Sequence, residues 1–427
     1  MSYTTMSLPV LASLLIAMFV LAGCTNPDIQ AGQEPPPPVP PADDRAPIVT
    51  ANNQFALDLY KHLSEDQAID AENLFFSPFS ISSALAITYE GARGDTAHEI
   101  REVFHFPKDT ATMREGYKEL IAGINSGSPA YSLHAANALW AEQTYPFLPD
   151  YIDMADRAYG AKTTNLDFIG SPDASRITIN RWVEEKTREK ITDLIPAGSI
   201  TPLTRLVITN AVYFKGTWVK QFDEEKTTVE EFRTGRGTTV QIPMMQRTDT
   251  KATYGYMETA DLQVLMMPYE SGSGKPLSML VLLPRDETLA AVEGTLTADT
   301  LAELRENLTV KRVMVYLPRF TLETKYFLSG PLSAMGMPTA FTGAADLSGM
   351  DGTRDLLITN VIHQAFVDVN EEGTEAAAAT AVIVGRASAP VDPVPVFRAD
   401  HPFLFFIQDD ETGLILFMGR VENPALS

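Results

Sequence analysis

Apolar residues in the first part of the chain recur at the three- and four-residue spacing of amphipathic helices. The pair Ser77-Pro78 is a helix-start signal, because serine caps the free backbone N–H groups and proline fits the first helical turn. The predicted helices are 48–63 with Phe55, Leu59 and Leu63 on one face, the run from Ser77-Pro78 to Tyr89, and 175–191 with Ile179, Val183 and Ile191 on one side.

Later segments are rich in valine, isoleucine, leucine and aromatic residues and are interrupted by glycine, proline or aspartate, which is typical of strands. The last of them is predicted to be a hairpin that turns at Asp409–Gly413. Helices followed by long apolar strands predict one α+β domain built around a large sheet. The strand segments are 205–218, 262–269, 277–284, 311–320 and 401–421.

The stretch 373–390, "GTEAAAATAVIVGRASAP", fits two structures. Helix propensity favours a helix through Ala376–Ala379 that ends at Gly385. The alternative is a strand of small side chains that stays outside a sheet until the chain is cut. Local propensity leaves both open.

The N-terminus predicts export. An apolar run from Leu8 to Gly23 is too short to span a membrane comfortably and ends in small residues. The following Cys24, the only cysteine of the chain, completes a sequence similar to the bacterial lipobox, so we expect a signal peptide over 1–23 and a lipid on Cys24, the alternative being an incidental cysteine. Proline-rich 24–47 is predicted to be an extended tether, and 48–427 the folded domain. The expected location is the cell surface, the periplasm or the extracellular space.

Charge limits the partners. The formal net charge of −22 disfavours nucleic acid, heparin-like polyanions and anionic membrane surfaces, which are bound by clustered lysine and arginine. Basic partners stay possible. Membrane attachment is expected only through a lipid at Cys24.

No enzyme motif is complete. "SGSGKP" at 271–276 lacks the upstream glycine and the final serine or threonine of a phosphate loop. His98-Glu99 is not followed by the second histidine of a zinc-protease helix, and the chain has no Gly-x-Ser-x-Gly elbow. We therefore expect no catalytic residue, no metal site and no cofactor.

Several segments, in order, resemble the serpin family of protease inhibitors, and the resemblance runs from about Ile48 to Pro424. It implies an α+β fold of three β-sheets, including a large central sheet A, with about nine helices and an exposed reactive loop over about 371–396. The segments are "NLFFSPFSIS" (73–82), "LVITNAVYFKGTW" (206–218), "YLPRFTLETKYFL" (316–328), "FTGAADLSGM" (341–350), "ITNVIHQAFVDVNEEGTEAAAAT" (358–380) and "HPFLFFIQDDETGLILFMGRVENP" (401–424).

The resemblance implies that the alanine-rich stretch is the hinge of the loop, which enters sheet A as a new strand after cleavage. A strand that enters between formed strands needs small side chains on its inward face, and alternate positions supply them. No charge or proline occupies those positions, which favours an inhibitor over a non-inhibitory binding module. The hinge residues are Glu371, Glu372, Gly373, Thr374, Glu375, Ala376, Ala377, Ala378, Ala379 and Thr380, with Thr374, Ala376, Ala378 and Thr380 inward.

The mechanism implied is suicide inhibition of a serine protease, with a covalent acyl-enzyme as the trapped complex. Counting from Gly373 as in the family places the attacked bond at Ala387–Ser388, which suits elastase-like or subtilisin-like enzymes. Cleavage after Arg386 would suit a trypsin-like enzyme. A cysteine protease target, a non-inhibitory serpin and, from another class, a lipid-anchored hydrolase are the alternatives.

Other family positions are expected to control the opening of sheet A. The implied shutter is a buried polar cluster, and the implied breach is the point where insertion starts. The segment 112–128 carries only Arg114 and Lys118, so no heparin-type cofactor is expected, and the protein is expected to be a monomer. The shutter residues are Ser77, Ser80, Asn210 and His363, and the breach residues are Trp218, Arg319 and Glu371.

Overall fold

The computed structural model describes residues 43–65, 72–125, 130–285, 288–374 and 393–426, without the side chains of 133–137 and 210–213. The chain divides into two units, Met1–Ala42 and Asp43–Ser427. The first unit lies outside the described residues, and so do the predicted signal peptide, Cys24 and most of the predicted tether.

Helices and strands are mixed, and most strand pairs are antiparallel, which confirms the α+β class. Two short 3-10 helices cover Glu224–Lys226 and Thr339–Phe341. Among the described residues there are ten α-helices: α1 Arg45–Glu65, α2 Pro78–Gly91, α3 Gly94–Phe104, α4 Thr110–Asn125, α5 Pro149–Tyr159, α6 Pro172–Lys186, α7 Ala290–Glu293, α8 Ala298–Glu306, α9 Ser329–Met335 and α10 Ser348–Asp351.

The described strands form three sheets. In chain order they are β1 Leu74–Phe76, β2 Tyr131–Glu142, β3 Lys162–Leu166, β4 Leu206–Thr217, β5 Thr228–Arg233, β6 Thr239–Arg247, β7 Thr253–Glu258, β8 Leu262–Pro268, β9 Leu277–Pro284, β10 Thr309–Arg312, β11 Met314–Pro318, β12 Phe320–Phe327, β13 Ile362–Val369, β14 Gly373–Thr374, β15 Val396–Arg398, β16 Phe403–Asp409 and β17 Ile415–Val421.

We call the sheet that contains β4 sheet A, and its six strands run in the order β12-β13-β14-β4-β2-β3. Sheet B has seven strands in the order β1-β17-β16-β9-β8-β7-β10, and sheet C has four in the order β15-β11-β6-β5. Every residue of β9, β16 and β17 is buried, which explains why these strands read as continuous apolar runs and not as alternating ones. The predicted hairpin at 401–421 is confirmed as β16 and β17.

The boundaries of two predicted helices differ from the structure. Helix α1 begins at Arg45, within the segment assigned to the tether, because Pro47 lies in the first turn, where its missing N–H removes no helical hydrogen bond. Helix α6 ends at Lys186, since Arg188 and Glu189 have the positive φ values 52° and 62°. Ile191 therefore lies beyond the helix, although it packs into the same buried cluster as the helix's apolar face.

The strand predicted over 311–320 is wrong as a single element. Its residues belong to β10 in sheet B, β11 in sheet C and the first residue of β12 in sheet A. An apolar alternation shows that a chain is extended, but it carries no information on which strand accepts its hydrogen bonds.

Candidate functional site

The last residues of the chain before the undescribed segment enter sheet A. Gly373 and Thr374 form β14, which pairs with β4 on one side and with β13 on the other. Thr374 lies opposite Gly216 of β4 and Val369 of β13. Both ladders are antiparallel, so β4 and β13 run in the same direction and β14 runs in the opposite direction between them. The start of the predicted hinge is therefore a strand.

Gly373 is where the chain approaches β4 most closely. A Cβ atom added at this position would lie well inside contact distance of the carbonyl oxygen of Gly216 and 2.7 Å from the Cα of Thr217. The obstacle is backbone on a sheet strand, which cannot rotate away as a side chain can. Only glycine fits this entry point without a shift of the sheet.

Two stacked aromatic side chains contact β14 and the turn before it from inside the domain. Trp218, which follows β4, stacks on Tyr269 with ring centroids 4.3 Å apart. The hydroxyl of Tyr269 lies 3.1 Å from the hydroxyl of Thr374, and both side chains are buried. The indole Nε1 of Trp218 donates to the carbonyl oxygen of Asn370 at 3.0 Å. The predicted breach residue Trp218 thus contacts the turn that precedes β14.

Glu371 is a buried carboxylate with three side-chain hydrogen bonds. Arg319 donates from Nε at 3.0 Å and from Nη2 at 2.6 Å, and the hydroxyl of Thr227 donates at 2.5 Å. Burial alone would raise the pKa of Glu371, but the hydrogen bonds from Arg319 and Thr227 outweigh it and hold the pKa below its usual value. The structure brings the predicted pair together, with Glu371 inside and the Arg319 side chain 43% exposed.

The neighbouring Glu372 is buried but differently placed. Its Oε2 atom is buried and has no hydrogen-bond partner among the described residues, and burial raises the pKa of this carboxyl, with Glu224 adding to the effect. Its backbone and that of Gly373 donate to the side-chain oxygen of Asn370, at 3.2 and 3.3 Å. Asn370 therefore closes the turn from β13 into β14.

Three of the four predicted shutter residues lie below this entry. The backbone N–H of Ser77 donates to Nε2 of His363 at 3.0 Å, and the Ser77 hydroxyl donates to the carbonyl oxygen of Leu416 at 2.7 Å. Ser77 also caps α2, since its oxygen accepts from the backbone of Ser80 at 3.2 Å. Burial lowers the pKa of His363 to about 3, so the ring is neutral. The side chain of the fourth, Asn210, is not described, but its backbone lies on β4, opposite Asn137 of β2.

Below β14 the strands β4 and β13 come closer together, within the distance of neighbouring strands, without forming a ladder. Among the residues that the structure describes, these two strands share no ladder pair with one another and are joined only through β14. Between their lower halves lies a cavity of about 680 Å³, which reaches Leu206–Thr209 of β4 and Val361–His363 around the start of β13. A longer β14 would therefore have to part β4 and β13 below Thr374 before it reached this cavity.

The structure describes only part of the predicted site. Hinge residues Glu375, Ala376, Ala377, Ala378, Ala379 and Thr380, and the predicted reactive-bond residues Arg386, Ala387 and Ser388, lie outside the described residues. Sequence reasoning missed Asn370, Tyr269 and Thr227. A turn at Asn370 could have been predicted from the sequence, since asparagine three residues before a glycine favours a turn. Tyr269 and Thr227 are remote in sequence, and no local pattern indicates them.

The described part of the chain holds no group of three or more histidine, cysteine, aspartate or glutamate residues that could bind a metal ion. In that same part, no helix has both the length and the apolar character needed to cross a bilayer.

Comparison with known proteins gives matches over the whole folded region. The family model described as "Serpin (serine protease inhibitor)" matches residues 50–424. An uncharacterized serpin-like protein of Methanosarcina acetivorans is 44% identical and covers 88% of each chain. The leukocyte elastase inhibitor of Bos taurus is 43% identical over 88% of this chain and 99% of its own. The crystal structure of uncleaved ovalbumin aligns with a TM-score of 0.78 and 33% identity, over 88% of this chain and all of that one.

Proposed function

The chain belongs to the serpin family, whose members include protease inhibitors, and from that premise we propose that it is a suicide inhibitor of serine proteases. The inhibitor would contribute a reactive loop and a sheet that takes it up, and the catalytic groups would all be the protease's.

One observation supports this most directly, which is the register of β14. If the strand continued past Thr374 with the same pairing, Thr380 would lie between Asn210 and His363. Thr374 lies opposite buried Val369 and bonds to a core tyrosine, so even-numbered residues would face inward. They are Ala376, Ala378, Thr380, Val382 and Val384, all of them small or β-branched and uncharged.

Insertion would be strongly favourable. About a dozen residues would gain ladder hydrogen bonds on both sides, each contributing about 0.5–1.5 kcal/mol, so the total is on the order of 10 kcal/mol. Burial of Val382 and Val384 would add to it. This free energy is what would move an attached protease.

The proposed reaction begins as ordinary proteolysis. The protease serine attacks the carbonyl carbon of the scissile bond, the peptide C–N bond breaks, and the new amino terminus leaves with the proton delivered by the protease histidine. The acyl-enzyme then has two fates. Water hydrolyses the ester, or the severed strand enters sheet A first and carries the protease with it, which halts deacylation.

We place the scissile bond at Ala387–Ser388, which would direct the inhibitor toward elastase-like or subtilisin-like enzymes. The similarity to the leukocyte elastase inhibitor supports a small-pocket target. Cleavage after Arg386 by a trypsin-like enzyme is the alternative, and a cysteine protease is another.

The test is incubation with elastase, subtilisin and trypsin, followed by SDS electrophoresis and sequencing of the released C-terminal peptide. We expect an SDS-resistant complex with elastase or subtilisin and a new N-terminus at Ser388. Cleavage without a complex would favour a binding module that proteases cut as a plain substrate, and a new N-terminus at Ala387 would assign the bond to Arg386.

A matched pair of variants separates insertion from loop recognition. Ala378→Arg puts a charge on the inward face, where its burial is costly, whereas Ala377→Arg points the same side chain outward. We expect Ala378→Arg to turn the inhibitor into a substrate and Ala377→Arg to keep most of the complex. Equal behaviour of the two would contradict the register.

We infer that the protein is exported and held at the cell surface by a lipid on Cys24, with residues 25–42 as the tether. Support comes from the lipobox-like sequence and the proline-rich segment that follows it. In the producing cell, Cys24→Ser should release the protein from the membrane fraction, and mass spectrometry of the wild-type N-terminus should find an acylated cysteine. An unmodified Cys24 would overturn this proposal.

A further inference from the structure

The cavity between the lower halves of β4 and β13 has the size and lining of a ligand site. Its volume of about 680 Å³ lies within the range typical of pockets for small organic molecules. Helix α2 forms one wall with residues at helical spacing, among them Ile81, Ala84 and Leu85. The cavity lies on the side of sheet A below the entry of β14, away from the contacts of Glu371 and Trp218.

Apolar side chains around this cavity are left incompletely buried. Ala84, Leu206, Ile208, Ile358 and Val361 all pack against the core but keep part of their surface accessible, and all five line the cavity. Free energy falls when another apolar group covers apolar surface around an unfilled space. The lining therefore favours a ligand with a hydrocarbon body.

One charge sets the polarity of the site. Among the described residues that line the cavity, Arg205 is the only lysine or arginine, and it is half-buried. Its guanidinium lies 5.5 Å from the ring centre of Tyr145 and donates to the carbonyl oxygens of Pro202 and Thr204, at 2.9 and 3.0 Å. Among the described ion pairs there is none with Arg205, so its charge has no carboxylate partner in the described structure.

His363 and Asp355, two other titratable residues on the lining, do not provide a positive charge for a ligand. His363, at the inner end, is neutral because burial lowers its pKa to about 3. Asp355 is the only acidic residue in the part of the lining that the structure describes, and it is exposed. A ligand held here would place its anionic head at Arg205 and its apolar body toward α2.

We propose that this cavity binds a medium-chain amphiphilic carboxylate, with the carboxylate on Arg205 and the hydrocarbon chain against Ala84, Leu206 and Ile208. Binding itself goes beyond the proposed inhibition and does not require it. The consequence for regulation does rest on the proposed function, because a longer β14 would bring Val382 opposite Ile208 and Val384 opposite Leu206, into the same space. A bound carboxylate and an inserted strand therefore exclude one another.

This competition has a defined direction. A ligand that binds only while no strand is inserted between the lower halves of β4 and β13 stabilises the intact state and opposes insertion. Saturating ligand increases the fraction of protease encounters that end in plain cleavage, and strand insertion expels the ligand.

The experiment is calorimetric titration of the intact protein with decanoate, with uncharged 1-decanol as the head-group control. We expect decanoate to bind at least about tenfold more tightly than decanol, since a hydrogen bond between two charged groups is about twice as strong as one between neutral groups. Arg205→Gln should remove that advantage, and Asp355→Asn should keep or increase the affinity. Arg181→Gln, an exposed arginine on α6 that does not line the cavity, should change nothing.

Ala84→Phe, which fills the cavity from α2, should abolish decanoate binding while the melting temperature stays at or above that of the wild type. Absence of decanoate binding to the intact wild type, or binding that survives both Arg205→Gln and Ala84→Phe, would overturn the proposal. Loop-cleaved protein that melts higher than the intact form should no longer bind decanoate, and undiminished binding to it would also overturn the proposal. If the cleaved protein melts no higher than the intact form, the inhibitory mechanism is contradicted, whereas the binding of decanoate to the intact form is not.

Discussion

The hydroxyl of Tyr269 lies 3.1 Å from that of Thr374, inside the domain, where both side chains are buried. Tyr269 follows β8 of sheet B, and Thr374 is the last described residue of β14 in sheet A. Because Trp218 stacks on the same tyrosine and bonds to the turn before β14, one aromatic pair links sheet B to the hinge. The position of the hinge thus depends on a contact between two sheets.

Tyr269→Phe should loosen this contact. The variant leaves the Thr374 hydroxyl buried without the partner, which costs about 1–2 kcal/mol. We expect the first unfolding transition of the intact protein in urea to shift to lower concentration by a corresponding amount. Tyr254→Phe is the matched control, because the hydroxyl of Tyr254 is also buried but no hydrogen-bond partner for it occurs in the described part of the chain. Equal shifts in the two variants would show that the Tyr269 hydroxyl does not stabilise the hinge.

Gly373→Ala should hinder entry of the hinge into sheet A. Its Cβ would meet the backbone of Gly216 and Thr217, and such overpacking costs about 1–3 kcal/mol. We expect slower insertion, and therefore more cleaved inhibitor for each protease molecule trapped. Gly343→Ala is the control, since a Cβ there meets nothing within 4 Å. An unchanged ratio of complex to cleaved product in Gly373→Ala would contradict this role.

The sequence predicts a residue of this site when its contacts are to residues nearby in the chain, and misses it when they are distant. The cap at Ser77 and the turn at Asn370 are local, because their side chains bond to backbone within three residues, and such patterns are legible in the chain. The contacts of Tyr269 with Thr374 and of Thr227 with Glu371 join residues more than 100 positions apart, and no periodicity encodes them. The family resemblance predicted His363 and Arg319, but the cavity depends on how α2, β4 and β13 pack against one another, which no local pattern records.

Strand prediction had the same limit. The runs at 277–284 and 401–421 were predicted correctly because burial on both faces leaves continuous apolar residues. The run at 311–320 changes sheets twice, and since only Val313 and Arg319 in it lie outside strands, its pattern does not record the change.

Glu371→Gln should weaken the top of sheet A. The change removes the charge that Arg319 and Thr227 hydrogen-bond, while Arg319 is exposed enough to be hydrated afterwards, so we expect a loss of about 1–2 kcal/mol, below the 3–5 kcal/mol of a fully buried pair. Glu230→Gln is the comparison and should cost less, because the Glu230 carboxylate paired with Arg398 is 25% exposed whereas that of Glu371 is 2% exposed. Urea unfolding at pH 7 measures both. A larger loss for Glu230→Gln than for Glu371→Gln would contradict the greater contribution expected of the Glu371 contacts.

His363 should make the intact protein less stable in mild acid. Its folded-state pKa of about 3 lies below the 6.5 of an unfolded histidine, so between these values the unfolded chain binds a proton that the folded chain does not. The stabilisation is complete above pH 6.5 and is lost as the pH falls toward 3. Between pH 7 and pH 5 this one group should lower the free energy of unfolding by about 2 kcal/mol.

The measurement is urea unfolding at pH 7 and pH 5 for the wild type, His363→Gln and His98→Gln. His363→Gln should lose about 2 kcal/mol less than the wild type on acidification, whatever its stability at pH 7, because glutamine does not titrate. His98→Gln, on the exposed face of α3, should follow the wild type. A wild-type acid sensitivity that persists in His363→Gln would mean that His363 does not stay neutral beside Ser77, and that the shutter is open to protons in the intact fold.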